Sequence, residues 1–472
     1  MNVNDSDWLR RALLDRGFSP AEFEDARIHI LNTCSVREKP ENKVYTELGR
    51  IRMLARRHAG RGVFACVGGC VAQQVGERLF KRSKELRLVF GTDGISLAPE
   101  AIAMLAEKPE HRLSLLDFSK DYAEREHYVG QNRAAKEMRE IVPLAAEAPA
   151  NTGQAGEAAP QSAPSSAFVN IMQGCDNFCA YCIVPFVRGR QKSRKSAAIL
   201  DECRLLLENG TKELTLLGQN VNSYGLDSAA AAEKASFVEL LHAVAALPGL
   251  ERLHFVTPHP KDMPAELISA FAELPQLSSR LHLPLQAGSD RILKKMGRKY
   301  DLARYFELVE SLRRARPDLQ LSTDIIVGFP GETEKDFEAT LEAMQRANFA
   351  SSFSFVYSDR PGTRASKMED KIPRAVGLER LARLQKWQDE NTARILAGMV
   401  GSRARVLIEG GSLKPKMPGR ERENLHSVHG RDEHGFSVNI PVQAENIPEP
   451  GQILYAEITG AGRHTLKGRV AE

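Results

Sequence analysis

The chain has 472 residues, 42% of them hydrophobic and 27% charged, and a formal net charge of +4. This composition belongs to a globular protein with room for about three domains of roughly 150 residues, whose cores need no disulfide staples. It excludes spanning helices, since no apolar run approaches the roughly 20 residues that one needs, and so small a charge permits an anionic partner without indicating one.

The start MNVNDSDWLRR has no apolar core, so no secretory signal is read there and a cytoplasmic location is expected, without a membrane partner. From residue 8 to about 110, helical and strand patterns alternate. Val44, Leu48, Ile51 and Leu54 share one face of a helix over 38–58, and the apolar runs IHIL (28–31) and VFACV (63–67) read as buried strands. That alternation predicts a parallel α/β sheet. Residues 143–166 are mostly Ala, Pro, Gly, Ser and Glu and are expected to form a flexible linker with few packed contacts.

From 168 to about 396 a βα rhythm repeats six times. Its strand candidates are FVNIMQG (168–174), ELTLLGQ (213–219), ERLHFVT (251–257), RLHLPLQ (280–286), LQLSTDIIVGF (319–329) and SSFSFVYS (351–358). A closing helix has Leu378, Leu381 and Leu384 in phase. Six parallel strands with outer helices make a partial barrel, with chemistry on the loops after the strands. Beyond about 399, RARVLIEG, FSVNI and QILYAEITG read as short strands of a small all-β barrel. The expected domains are therefore 1–118, a linker over 119–166, a barrel domain over 167–397 and a β-barrel over 398–472.

Seven cysteines are present: Cys34, Cys66, Cys70, Cys175, Cys179, Cys182 and Cys203. With no secretory signal, their thiols are expected to serve a metal or catalysis rather than disulfides. GCDNFCAYC sets Cys175, Cys179 and Cys182 in a C-x3-C-x2-C pattern after the first barrel strand. Three thiolates on one loop can hold three irons of a 4Fe–4S cubane and leave the fourth open to a small molecule. The competing reading is a structural zinc, which needs a fourth Cys or His. No histidine lies between His127 and His242, and Cys203 falls in the helical stretch ILDECRLLLENG; a ligand from a distant segment would still complete a zinc site.

The segment NIMQGCDNFCAYCIVPFVRGRQKSR (170–194) resembles the cluster-binding segment of the radical S-adenosylmethionine (SAM) methylthiotransferases. LNTCSVREK (31–39), GGCVAQQ (68–74), LLGQNVNSYG (216–225), PHPKD (258–262), HLPLQAGSDRIL (282–293), STDIIVGFPGET (322–333) and YSDRPGTRA (357–365) extend the likeness in order. NTCSVREK, CIVPFVRGR and LLGQNVNSYG are similar to the branch that modifies tRNA, rather than to the sister branch acting on a ribosomal-protein aspartate. A non-catalytic zinc-containing RNA-binding protein is the alternative from another class.

The resemblance implies a flavodoxin-like N-terminal domain, here lacking its first strand, a six-stranded radical SAM barrel and a TRAM-like RNA-binding barrel with GRERENL (419–425) at a turn. It implies that Cys175, Cys179 and Cys182 hold a 4Fe–4S cluster whose open iron binds SAM, with Tyr181 against the SAM adenine or simply packing the loop. The reaction implied is hydrogen abstraction by a deoxyadenosyl radical at C2 of N6-(dimethylallyl)adenosine 37, then sulfur insertion and methylation by a second SAM. Gln219, Ser322, Asp324 and Gly328 are expected to line the SAM pocket, with Asn220, His259, Gln286 and Gly331 as further strand-end candidates or loop-shaping residues. The implied partners are the tRNA anticodon stem-loop and a reductant such as flavodoxin or ferredoxin, and a monomer is expected.

Cys34 and Cys70 match two of three ligands of the family's second, auxiliary 4Fe–4S cluster, while Cys66 lies within an apolar strand and reads as a core thiol. The third ligand belongs to a segment ahead of the one that MNVNDSD matches. An upstream start codon is expected to supply it, and the chain as given is expected to hold the second cluster weakly. The run Arg188, Arg190, Lys192, Arg194 and Lys195 reads either as a solvated charge run or as a phosphate contact beside the site.

Overall fold

The computed structural model describes residues 1–34, 39–58, 60–123, 125, 164–227, 235–411, 425–443 and 445–471. Most of the low-complexity segment (143–163) and the GRERENL turn up to residue 424 lie outside the described residues. Two units are distinguished. One comprises Met1–Ser162, Met172–Asn177 and Cys182–Arg194, the other Ala163–Ile171, Phe178–Tyr181 and Lys195–Glu472. No described helix is long and apolar enough to cross a membrane.

The first unit opens with α1 (Asn2–Asp15), followed by β1 (Ile28–Thr33), α2 (Lys39–Arg57), β2 (Phe64–Gly69), α3 (Cys70–Val75), β3 (Leu86–Phe90), α4 (Ala98–Glu107) and β4 (Leu113–Leu115). The strands form one parallel sheet in the order β1-β2-β3-β4. Ala65 and Val67 of β2 pack with Val44, Leu48, Ile51 and Leu54 of α2. Phe64 and Cys66 pack on the other face with Leu9 and Leu13 of α1 and Ile102 and Leu105 of α4. Cover on both faces is why β2 reads as an unbroken apolar run. Cys66 is fully buried, and burial pushes its thiol far above the usual range. β1 alternates half-buried and buried residues, so IHIL is not buried throughout.

The second unit starts with β5 (Ser166–Asn170). Then come β6 (Met172–Gln173), α5 (Val184–Val187) and β7 (Lys192–Ser193), which lie within the first unit, and the second resumes with α6 (Ser196–Glu208). It continues through β8 (Glu213–Leu217), α7 (Phe237–Ala245), β9 (Arg252–Phe255), α8 (Ala265–Glu273), β10 (Arg280–His282), α9 (Asp290–Met296), α10 (Leu302–Ala315), β11 (Gln320–Val327), α11 (Glu334–Ala347), β12 (Ser351–Val356) and α12 (Arg374–Gly398). β5-β8-β9 and β10-β11-β12 are parallel sheets. A parallel bridge from Leu253 to Leu277, just ahead of β10, joins them into one open run of six strands.

The run FVNIMQG does not form a single strand. β5 ends at Asn170, and Met172 and Gln173 pair antiparallel with β7 instead. α12 also departs from expectation. Leu378 is 48% exposed, and the buried stripe carries Arg380, Leu384, Gln388, Asn391 and Thr392. Gln388 and Asn391 donate to the Phe349 carbonyl at 2.9 Å and Thr392 to that of Ala350 at 2.8 Å, so this helix docks through hydrogen bonds.

β13 (Arg403–Gly411), β14 (Leu425–Arg431), β15 (Ser437–Gln443), β16 (Ile453–Ala461) and β17 (Thr465–Val470) close a barrel in the order β13-β14-β15-β17-β16. Val406, Ile408, Val438, Ile440, Ile458 and Leu466 fill it. Arg252 of β9 donates to the carbonyls of Arg405, Arg431 and Asp432, fastening this barrel to the six-stranded run.

Candidate active site

The cysteine loop is tied down along its length. Gly174 has φ +82°, and a Cβ there would meet the Arg190 carbonyl oxygen at 2.1 Å. The next N–H, of Cys175, donates to Gly189 O, and Asp176 pairs with Arg190 at 2.8 Å. Phe178 holds φ +46°, an uncommon conformation for a bulky residue. Ala180 is clipped on both sides, its N–H donating to Met296 O (2.7 Å) and its carbonyl accepting from Ala365 N (2.8 Å). Tyr181 packs with Ala180, Ile292, Met296 and Phe329.

The downstream run is not a solvated stretch, nor is most of it open to phosphates. Arg188, Lys192 and Arg194 are buried. Lys192 pairs with Asp93, which also accepts from Gln173, and Arg194 lies over the Tyr122 ring. Only Arg190 and Lys195 of the run are exposed.

Cys179 is buried, and Nη1 of Arg298 donates to its Sγ at 3.4 Å. Arg298 follows Gly297, the left-handed cap of α9 at φ +73°, and is itself buried. Its Nε donates to Tyr300 Oη (3.0 Å) and Nη2 to Pro284 O (3.2 Å). Among the described residues it has no carboxylate partner. Nearby Tyr300, Tyr181 and Cys179 hold its charge well above the usual guanidinium range despite burial.

Strain collects at the strand ends. Thr257 after β9 has φ +60° and Gln286 after β10 has φ +75°; with Phe178 they are three of the four positive-φ non-glycine residues described. Such outliers persist where the surroundings over-determine them, often at ligand sites. His259 is buried, accepts from Lys261 N at Nδ1 and is pushed down to about 2, chiefly by burial and then by Arg298. Asn222 donates to the His259 carbonyl and accepts from its N–H, so this histidine shapes the loop. The Gly328 N–H is committed to Glu332 at 2.7 Å. At Gly331, φ +78°, a Cβ would strike Asp370 and Lys295.

In β11 the residues alternate, Leu321, Thr323, Ile325 and Val327 buried, Ser322 and Asp324 half-buried on the opposite face. On that face Nδ1 of His282 lies 3.0 Å from Ser322 Oγ and Nε2 lies 3.4 Å from Asp324 Oδ2. Phe353, 55% exposed, meets the imidazole edge-on at 5.7 Å. The structure thus joins Ser322 and Asp324 through a histidine that the sequence reading did not weigh. The alternation in RLHLPLQ, which puts His282 in phase with polar Arg280, was the available signal.

In the first unit, Thr33 pairs with Gly69 across β1 and β2, so Cys34 and Cys70 follow at matching positions on one sheet edge. Gly69, at φ +85°, has room for no Cβ, which would sit 2.3 Å from Thr33 O. Burial works against the Arg188 charge, but Cys70, Asp5 and Cys34 nearby hold the guanidinium above its ordinary range. Its Nη1 is 3.7 Å from Met1 Sδ, and Nη2 is 3.7 Å from Asp5, which Arg125 also holds at 2.8 Å.

Among the described residues, no three His, Cys, Asp or Glu side chains are gathered closely enough to hold a metal ion, so ligand assignment rests on donor chemistry and spacing. That chemistry suits a cluster, because cysteine sulfur is the usual ligand of iron–sulfur clusters and the buried Arg298 already donates to the Cys179 sulfur.

The radical SAM superfamily model matches residues 169–344, and that of the uncharacterized protein family UPF0004 matches residues 1–91. A solved radical S-adenosylmethionine methyltransferase, TsrM, from Kitasatospora setae, with cobalamin and a 4Fe–4S cluster bound, is similar over 77% of this chain and 70% of its own. The TM-score is 0.50 at 17% identity, a likeness of fold. Residues 169–344 are thus a radical SAM domain, which brings an iron–sulfur cluster and SAM. Curated relatives named tRNA-2-methylthio-N(6)-dimethylallyladenosine synthase narrow this. That of Nitratidesulfovibrio vulgaris is 54% identical over 467 residues, 99% of this chain and 95% of the relative. That of Oleidesulfovibrio alaskensis is 52% identical over 484 residues, 100% and 96% of the two chains. That of Geobacter metallireducens is 43% identical over 472 residues, again 100% and 96%. The chain belongs to the family of these synthases.

Proposed function

We propose that the chain is a tRNA methylthiotransferase that converts N6-(dimethylallyl)adenosine at position 37 to its 2-methylthio derivative. The observation that carries this reading is 54% identity to a relative of that name over 99% of the chain. Cys175, Cys179 and Cys182 would hold a 4Fe–4S cluster that with SAM supplies a deoxyadenosyl radical for the C2 hydrogen, and Cys34 and Cys70 would be two ligands of a second cluster that supports or supplies the sulfur. The chain's own part is to hold and shield. The clipped Ala180 and strained Phe178 hold the backbone of the loop between its cysteines. Ser322, His282 and Asp324 offer a hydroxyl, an imidazole and a carboxylate on one face of the strands, with Phe353 beside them as an exposed ring. Tyr181 and Gln219 complete the candidate SAM contacts, whereas Gly328 would shape its turn, since its N–H is already committed to Glu332. The domain division at 118, 166 and 397, a reductant such as flavodoxin or ferredoxin, a monomeric state and a cytoplasmic location belong to the same proposal.

Mass spectrometry of tRNA nucleosides from a deletion strain tests it. Loss of 2-methylthio derivatives, restored by the gene, is expected; unchanged levels reject the tRNA assignment. A colourless anaerobic preparation carrying zinc would favour the non-catalytic alternative.

A further inference from the structure

We infer that Arg298 is a positioning and tuning residue for the cluster held at Cys179. Its guanidinium fixes the ligand sulfur and favours the reduced, radical-generating state. The inference rests on the proposed cluster, but its observations lie in the chain's own residues. Arg298 is buried with no carboxylate partner among the described residues. A buried guanidinium is costly unless an anion accompanies it, and the one thiol in its reach is Cys179, at 3.4 Å. The fork is aimed by its other contacts. Tyr300 Oη accepts from Nε and donates its one proton to the Leu285 carbonyl at 2.9 Å, with that of Pro284 at 3.1 Å. Its ring also lies 5.1 Å from the guanidinium carbon. Gly297 turns the chain out of α9 at φ +73°, so that Arg298 follows the carbonyl of Met296 that clips Ala180. One short segment therefore supports the cysteine loop by its backbone and reaches a sulfur by its side chain.

One-electron reduction adds negative charge to the iron–sulfur unit. A fixed cation and an N–H···S hydrogen bond at a ligand sulfur, out of water, stabilise the reduced state and raise the potential. A merely structural staple would leave the potential alone.

The test is a redox titration followed by electron paramagnetic resonance, on the reconstituted full chain carrying Cys34→Ala and Cys70→Ala, so that one cluster is read. Arg298→Met should disfavour reduction about tenfold, a fall of about 59 mV for a one-electron couple. Arg298→Lys should recover part of it, and Tyr300→Phe should show a smaller fall of the same sign. Iron content and melting temperature are measured beside each. An Arg298→Met cluster at the parent potential overturns the inference. If that variant does not fold or load iron, Arg298→Lys and Tyr300→Phe at the parent potential overturn it instead. A parent protein that binds no 4Fe–4S cluster strikes at the proposed function rather than at the role of Arg298.

Discussion

Replacing Arg380 by methionine removes the cation beside a deeply buried carboxylate. Glu332 is 3% exposed; its carboxylate accepts from Gly328 N at 2.7 Å and from Arg380 Nη1 at 2.8 Å. Nη1 also reaches the Glu332 carbonyl, and Nε pairs with Glu334 at 3.2 Å. Burial already pushes the Glu332 carboxyl above its ordinary value, against the pull of Gly328 and Arg380. Removing one partner of such a pair costs about 3–5 kcal/mol. At roughly 2–4 °C per kcal/mol for a domain of this size, melting should fall by roughly 6–12 °C at the lower cost. The loss should depend on pH with a fixed sign. Without Arg380 the folded carboxyl titrates higher still, so the folded state holds its proton where the unfolded carboxyl has lost it. The deficit is therefore full above the folded value and shrinks as pH falls toward the ordinary glutamate value of about 4.3. Scanning calorimetry from pH 5 to 8 on Arg380→Met, Glu332→Gln and the double variant reads this. The double variant should melt above Arg380→Met. An Arg380→Met variant melting within 2 °C of the parent, or a double variant melting below Arg380→Met, would overturn this.

Cys175→Ala should abolish deoxyadenosine formation from SAM while leaving the circular dichroism spectrum unchanged; substantial SAM cleavage contradicts its role as a ligand. Gly69→Ala should cost more than the roughly 1–2 kcal/mol of a left-handed residue alone, because its Cβ would meet Thr33 O at 2.3 Å; urea unfolding measures it, and an unchanged midpoint counts against the tight approach of β1 and β2. His254 accepts from Arg280 Nε at Nδ1 and lies 3.0 Å from Glu213 at Nε2. Burial, with Arg280 adding to it, pushes it down to about 4. The unfolded chain then binds the proton first, so stability should fall from pH 6.5 toward 4, by about 3 kcal/mol in all. A His254→Gln variant that keeps the whole of that slope disproves the assignment.

Local signals carried much of this architecture. Spacing marked Cys175, Cys179 and Cys182, and apolar periodicity placed α2 and all six strands of the run, because burial on one or both faces writes itself into neighbouring residues. What stayed hidden depends on partners far along the chain. Arg188, Lys192 and Arg194 looked like a basic run, but Asp5, Asp93 and Tyr122 receive them from at least 70 residues away. The break at Ile171 follows from pairing of Met172 and Gln173 with β7, which no local apolar pattern announces. In α12 the leucines in phase misled, since Arg380, Gln388 and Asn391 dock by hydrogen bonds that periodicity of apolar residues cannot show. Arg298 and His282 went unweighed for the same reason: their meaning lies in Cys179 and Asp324.

The most direct measurement of the central claim is a single reaction. The anaerobically reconstituted chain is mixed with SAM, a chemical reductant and tRNA carrying N6-(dimethylallyl)adenosine, and nucleosides and small molecules are read by mass spectrometry. The 2-methylthio derivative is expected together with 5′-deoxyadenosine, both absent with Cys175→Ala. A chain that holds its 4Fe–4S cluster and cleaves SAM but leaves that tRNA unmodified would contradict it.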